Sequence, residues 1–296
     1  MSFGRRVGGA ALALVAGVAA GCGGESGGVP ASLVVEGEAP AAPYDGPLYV
    51  PTAPEWEGEG EPGPEEMRAM AGAAGRALEC DGDIYLGGRS DPWPSDDGGA
   101  TPEEGLAWHW SINGEEPPPY GFRVEREEKN RVLFSHDVDG RTKEAVIVAK
   151  DREDRPGWGP ETTAQCDPAE FEPADDADGF HEIWTDEQGN RVPVTRVSSN
   201  RGPEHCDWQS AHFLTLGEDA HGGRGTTYVR DPKGVLPEQA LAAPYDGDAE
   251  LPEGARDTGY RLDDWRLWVD DEDDSRVYVR TPDGTELWPR TDAGCA

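Results

Sequence analysis

The chain has 296 residues, with 60 Asp and Glu against 26 Lys and Arg, and a formal net charge of -34. A polyanion of that size repels nucleic-acid phosphates and anionic lipid headgroups, which excludes nucleic-acid binding as a function class. Leu, Ile, Val and Phe number only 46, below the roughly 20% of residues at which strong net charge goes with disorder, but ten Trp and eight Tyr can each bury about 150–250 Å², so a small aromatic core is expected.

In chain order, Arg5 and Arg6, the apolar run over 7–21 and Cys22 have the three parts of a secretion leader. The apolar run of 15 residues is shorter than the roughly 20 that a membrane span needs. The segment Ala19-Ala20-Gly21-Cys22 resembles the lipobox of bacterial lipoproteins. That resemblance implies that Cys22 is acylated, that residues 1–21 are removed, and that the protein is lipid-anchored on the extracytoplasmic face of a cell membrane. Losing the two positive charges of Arg5 and Arg6 takes the net charge from -34 to -36. Ordinary cleavage after Ala20 would instead leave Cys22 as an unpaired thiol in an exported protein. Assigning Cys22 to lipid leaves Cys80, Cys166, Cys206 and Cys295, an even set suited to two disulfides in an oxidising compartment.

Residues 22–63 are rich in Gly, Pro and acid and read as a solvated, disordered tether, with Tyr44 to Val50 docking as an extended arm. Within it, residues 58–63 satisfy a GxGxxG string, but no strand precedes it and its carboxylates would repel a pyrophosphate. Order begins at Pro64, where Met67, Met70, Ala71, Ala74, Ala77 and Leu78 recur at helical spacing until Cys80-Asp81-Gly82. Residues 87–99 are looser and carry Trp93. Thr101-Pro102-Glu103-Glu104 is a capping box that opens a short helix toward Trp110.

Strands follow over 122–124, 132–134 and 145–148, with Asp139-Gly140 as the turn joining the last two. Asp137 and Asp139 lack the further ligands and closing glutamate of a calcium loop. The acidic stretch 171–180 is the expected joint between a helix-plus-meander unit over 64–170 and a second β-rich unit over 181–296. Beyond it, 182–185 and 192–197 flank a turn, Pro193 argues for an edge strand, and 211–216 reads as either helix or strand. Thr226 to Arg230 is a strand. Residues 267–269, 277–279 and 287–288 form an antiparallel meander, separated by acidic turns. The fold class expected is α+β: short antiparallel meanders with a few short helices, stapled by disulfides.

The halves echo one another. Gly121-Phe122-Arg123 is matched by Gly259-Tyr260-Arg261, and a Trp then precedes a Cys in each, Trp158 before Cys166 and Trp288 before Cys295. The echo suggests two similar units and pairs Cys80 with Cys166 and Cys206 with Cys295, one of the three connectivities that four cysteines allow.

The stretch 202–210 concentrates His205, Cys206, Asp207, Trp208 and Ser210. A hydrolase would draw on His205, Asp207, Ser210 and His212, but no G-x-S-x-G elbow is present. The alternative is a disulfide at Cys206 with Trp208 packed over it, leaving His205, Asp207, Trp208 and His212 as a candidate ligand surface. No HExxH motif occurs, and no metal or cofactor is expected. Together with the lipobox, the segments 202–210 and 259–261 are similar to lipoproteins of actinomycete-type genomes, a resemblance that implies no activity. The expected role is a membrane-anchored binding or interaction module for an extracellular protein or small-molecule ligand. A cell-envelope hydrolase and a purely structural surface lipoprotein stand as alternatives.

Overall fold

In the computed structural model, residues 33–54, 56–58, 62–95, 97–112, 114, 116–152, 155–172, 181–217 and 225–295 are described. The leader, Cys22 and all but the first two residues of the expected joint lie outside them.

The tether is shorter than its composition predicts. From Leu33 the chain runs as a strap along the first unit: Phe122 N donates to Leu33 O (2.7 Å), Val35 N to Phe122 O (2.8 Å), and Ala53 N to Ala69 O (3.0 Å). Leu33 and Leu48 are buried in the core. A few well-spaced apolar anchors and backbone bonds are enough to hold a segment whose average composition is that of a linker.

Helix α1 (Pro64–Ala77) buries a row of alanines, Ala71, Ala73, Ala74 and Ala77, and is kinked at Gly72, whose φ of 57° suits glycine. Helix α2 (Pro102–Ser111) begins as expected: Thr101 Oγ1 accepts from Glu104 N, while Glu104 Oε2 accepts from Ala100 N (2.6 Å) rather than from the cap residue itself. Both helices pack on an antiparallel sheet of β1 (Ile84–Arg89), β2 (Arg123–Glu128), β3 (Arg131–Val138), β4 (Arg141–Arg152) and β5 (Arg155–Cys166), in the order β1-β5-β4-β3-β2. The β3–β4 turn is Asp139-Gly140, both at positive φ.

Two strands depart from expectation. β1 occupies the start of the stretch that reads as loose. β5 was hidden by Pro156, Gly157, Gly159 and Pro160, which read as punctuation. The ladder absorbs the prolines through register shifts opposite β4. Trp93, itself buried, lies over Gly159, where any Cβ would sit 2.2 Å from the ring. Residues Thr142 to Ala149 of β4 are buried without a break, so both faces of the sheet's centre are covered. Lys143 is admitted to this interior by Glu170 (2.6 Å) and Asp81 (3.1 Å).

The second half contains β6 (Glu182–Ile183), β7 (Val197–Arg201), β8 (His212–Leu216) and β9 (Thr226–Arg230) in one antiparallel sheet, and β10 (Arg256–Leu262), β11 (Trp265–Val269), β12 (Arg276–Thr281) and β13 (Gly284–Pro289) in another. β6 pairs with β7, not with the segment over 192–197. Pro193 instead accepts from Arg196 N and Val197 N in a turn, because its ring suits a turn better than a ladder.

The two sheets meet at both edges. Thr185 and Arg261 exchange backbone bonds of 2.8 and 2.9 Å beside β6 and β10, and Thr291 N donates to Thr227 O (2.8 Å) beside β13 and β9. Backbone bonds at both ends of the strand order thus join the eight strands into one barrel-like wall, with the segment over 242–249 bonded along β13. Its interior holds Trp184, Val197, Leu214, Leu267, Val277, Val279 and Trp288. On the outer face of β8 and β9, Phe213 and Val229 pack with Ala211 and Leu236, as the two-residue alternation of strands requires.

Two disulfides, Cys80–Cys166 and Cys206–Cys295, join Cα atoms 5.4 and 6.2 Å apart, the pairing suggested by the echo between the halves. Each half does contain a four-stranded meander. Among the described residues, however, the second has a partner sheet where the first has α1 and α2, so a repeated helix-plus-meander unit is not what the structure contains. The fold is predominantly antiparallel β, in three sheets, with two helices. The halves are tied by Asp167 Oδ1, which accepts from Val194 N (3.0 Å), and by Arg191 Nε, which donates to Ala169 O (2.9 Å).

Candidate functional site: a polar barrel mouth

One end of the barrel is polar. Along its strands a polar side chain stands two residues from an inward apolar or aromatic one: Glu182 before Trp184, His212 before Leu214, Arg230 after Tyr228, and Glu286 before Trp288. Strand alternation turns both members of each pair inward. The apolar members fill the barrel, and the polar ones form a layer across its mouth.

That layer is cross-linked. Trp184 Nε1 donates to Ser199 Oγ (3.0 Å), which donates to Glu182 Oε2 (2.7 Å). His212 Nε2 donates to the same carboxylate oxygen. Burial is the largest influence on Glu182 and pushes its carboxyl up, but the bonds from His212 and Ser199, with the charges of His212 and Arg201, outweigh it and hold the group below its ordinary value. Across the mouth, Arg230 grips Glu286 with two parallel bonds of 2.7 and 2.8 Å, and Trp288 Nε1 donates to Glu286 Oε2 (2.9 Å). Burial again pushes Glu286 up most strongly, and the Arg230 and Trp288 bonds reverse it. The nearby Tyr245 hydroxyl is pushed up to about 12 by burial first and by Glu286 second. Bidentate pairing of this kind fixes both partners in one orientation.

Above the layer lies a cleft of about 420 Å³ lined by Glu182, Arg201, Gln209, Ser210, Ala211, His212, Arg230, Leu262, Asp263 and Trp265. A volume of that size accommodates a small molecule. Trp265 stands edge-on to Trp288 (5.6 Å between ring centroids) and 5.2 Å from the His212 ring. Among the described residues, the Arg201 guanidinium makes no hydrogen bond or ion pair.

Of the residues singled out from sequence, His212 and Ser210 reach this cleft and the others do not. His205 is exposed and its Nε2 lies 3.1 Å from Cys295 Sγ. Asp207 occupies a left-handed turn at φ 60°. Trp208 is half-buried and packs against Phe213 (5.9 Å) on the barrel's outer face. Residues 212–216 being a strand, His205 and His212 do not share a helical face. Among the described residues no hydrogen bond joins Ser210 to His205, Asp207 or His212.

Glu182, Ser199, Arg201, Arg230, Trp265 and Glu286 are not among the expected site residues, although the two-residue spacing of Glu182, Arg230 and Glu286 from Trp184, Tyr228 and Trp288 is visible in the sequence. Two ligand-type clusters, His205 with Cys206 and Cys295, and Glu170 with Cys80 and Cys166, bring donor atoms within 4.8 Å of one another. In both the sulfurs are bonded to each other and do not offer the thiolates that metals take. The acidic turn of β11–β12 is likewise engaged: Asp271 pairs with Arg256 (2.8 Å), Asp274 with Arg290 (3.0 Å), and Asp273 accepts from Ser275 N (3.0 Å).

No family model, no curated protein and no solved structure matches the chain.

Proposed function

We propose that this protein is a binding module of the cell envelope, anchored through Cys22, whose barrel mouth takes a small polar ligand carrying an anionic group. The observation that carries this reading is the pre-ordered polar layer beneath the 420 Å³ cleft. Glu182 and Glu286 are fixed by their own partners, so they need no reorganisation on binding. Arg201, whose guanidinium makes no hydrogen bond or ion pair among the described residues, supplies the fork for a carboxylate or similar group. Trp265 offers an aromatic surface for a ring or a hydroxylated face.

Glucuronate combines a carboxylate with a hydroxylated ring and serves as a probe. Titration monitored by amide chemical shifts should perturb residues of β7, β8 and β11 around the cleft, and Arg201→Ala or Trp265→Ala should each weaken binding about tenfold or more. Perturbations confined to other surfaces would refute the cleft as the site. Glucose bound as tightly as glucuronate would refute the role of Arg201. Attachment is tested separately: Cys22→Ser should move the protein from the membrane fraction to the soluble one, and retention on the membrane would remove the lipid anchor from this reading.

A further inference from the structure

The two disulfides sit in opposite surroundings. Cys166 is fully buried, and the Glu170 carboxylate lies within 4.8 Å of the sulfurs of its bond with Cys80. The Glu170 charge is paired with Lys143 (2.6 Å), so it is the burial of Cys166 that withholds this bond from an attacking thiolate and disfavours a thiolate released there. Cys206 and Cys295 are partly exposed, His205 is exposed, and its Nε2 is 3.1 Å from Cys295 Sγ. In its protonated, imidazolium form a histidine so placed can give its Nε2 proton to a departing sulfur and become neutral imidazole.

We propose that Cys206–Cys295 is an exchangeable disulfide, opened by a dithiol reductant that attacks Cys206 while His205 serves Cys295 as the leaving group. A thiolate of the reductant bonds to Cys206 Sγ, the Cys206–Cys295 bond breaks, and its electron pair leaves on Cys295 Sγ, which takes the proton from His205. The reductant's second thiol, as thiolate, then attacks its own sulfur in the mixed disulfide. Cys206 leaves with the electron pair and is protonated by solvent, as is His205. The reductant ends as a disulfide and the protein as two thiols, so two electrons have moved and the atoms balance. The bond clamps the loop over 202–211, closed by Gly202 N donating to Ala211 O (3.0 Å), and that loop carries Gln209 and Ser210 to the cleft. Exchange here would act next to the barrel mouth without touching the first unit.

The oxidised protein is treated with dithiothreitol under native conditions, quenched by alkylation at intervals and mapped. Cys206–Cys295 should open at least tenfold faster than Cys80–Cys166. His205→Gln should slow its opening about threefold or more and leave Cys80–Cys166 unchanged. Glutathione, a monothiol, should leave its mixed disulfide mainly on Cys206 with Cys295 free. Equal opening of both bonds, an unchanged rate in His205→Gln, or an adduct mainly on Cys295 would each overturn the proposal.

Discussion

Replacing Trp288 by alanine should destabilise the second unit by about 3–5 kcal/mol, the usual cost of emptying a large aromatic site in a packed core. Trp288 is fully buried and stands where the apolar interior meets the polar layer. Its ring contacts Trp265 and His212, and its Nε1 supports Glu286. Alanine therefore removes packing for the barrel and a donor from a carboxylate that burial already penalises. Trp288→Phe, which restores most of the volume but not the bond, should recover more than half of the loss. Leu86→Ala, at a side chain 49% exposed on β1, should cost under about 0.5 kcal/mol. Urea unfolding of the three variants measures these differences. A loss below about 1 kcal/mol in Trp288→Ala would mean that the barrel does not depend on its apparent core.

Local devices are legible in the sequence because their physics is local. Thr101 to Glu104 caps a helix and Asp139-Gly140 turns a hairpin by contacts among residues that are near neighbours in the chain. The strand β9 and the C-terminal meander follow from alternation punctuated by turns. β5 is not legible, since its Gly and Pro are explained only by what covers them: Trp93 over Gly159 comes from 66 residues earlier. The strap from Leu33 is hidden for the same reason, its partner Phe122 being distant in sequence.

The site shows a similar division. Of the crowded His205, Cys206, Asp207 and Trp208, the first two converge on Cys295, Trp208 turns to Phe213, and none reaches the cleft. Gly202 is the hinge of that arrangement, because a Cβ there would meet Trp208 O at 2.3 Å. The polar layer is assembled from five strands, one or two residues from each. Its signal is a charged residue spaced by two from an inward aromatic. That signal acquires meaning only once closure at Thr185–Arg261 and Thr227–Thr291 turns two sheets into one wall.

Glu144→Gln should make the protein more stable than the parent at pH 8, by up to about 3 kcal/mol, while leaving stability near pH 4 almost unchanged. Glu144 lies on β4 directly across from His136 on β3, and its carboxylate accepts from the Tyr120 hydroxyl (2.6 Å). The Tyr120 ring stacks on His136 at 3.9 Å, and Phe171 lies 5.8 Å from that imidazole and 5.9 Å from the Tyr120 ring. Burial in this aromatic layer pushes Glu144 from 4.5 to about 7, against the smaller opposing effect of the Tyr120 bond. Below 4.5 both folded and unfolded chains hold the proton, and the contribution of the buried neutral group is fully present. Between 4.5 and about 7 the unfolded chain has released a proton that the folded chain keeps, so stability falls as pH rises. Above about 7 the folded protein carries the buried charge and the contribution is lost. The gap from 4.5 to about 7 corresponds to about 3 kcal/mol at 1.36 kcal/mol for each pKa step. Glutamine keeps the site neutral at every pH and escapes this loss. The carboxyls held below their ordinary values, among them Glu182 and Glu286, raise stability as pH climbs through the acid range, but they are common to both proteins and cancel in the comparison. Urea midpoints of parent and variant at pH 4, 6 and 8 give the difference directly, and a difference that does not grow with pH would show that folding does not push the Glu144 carboxyl up.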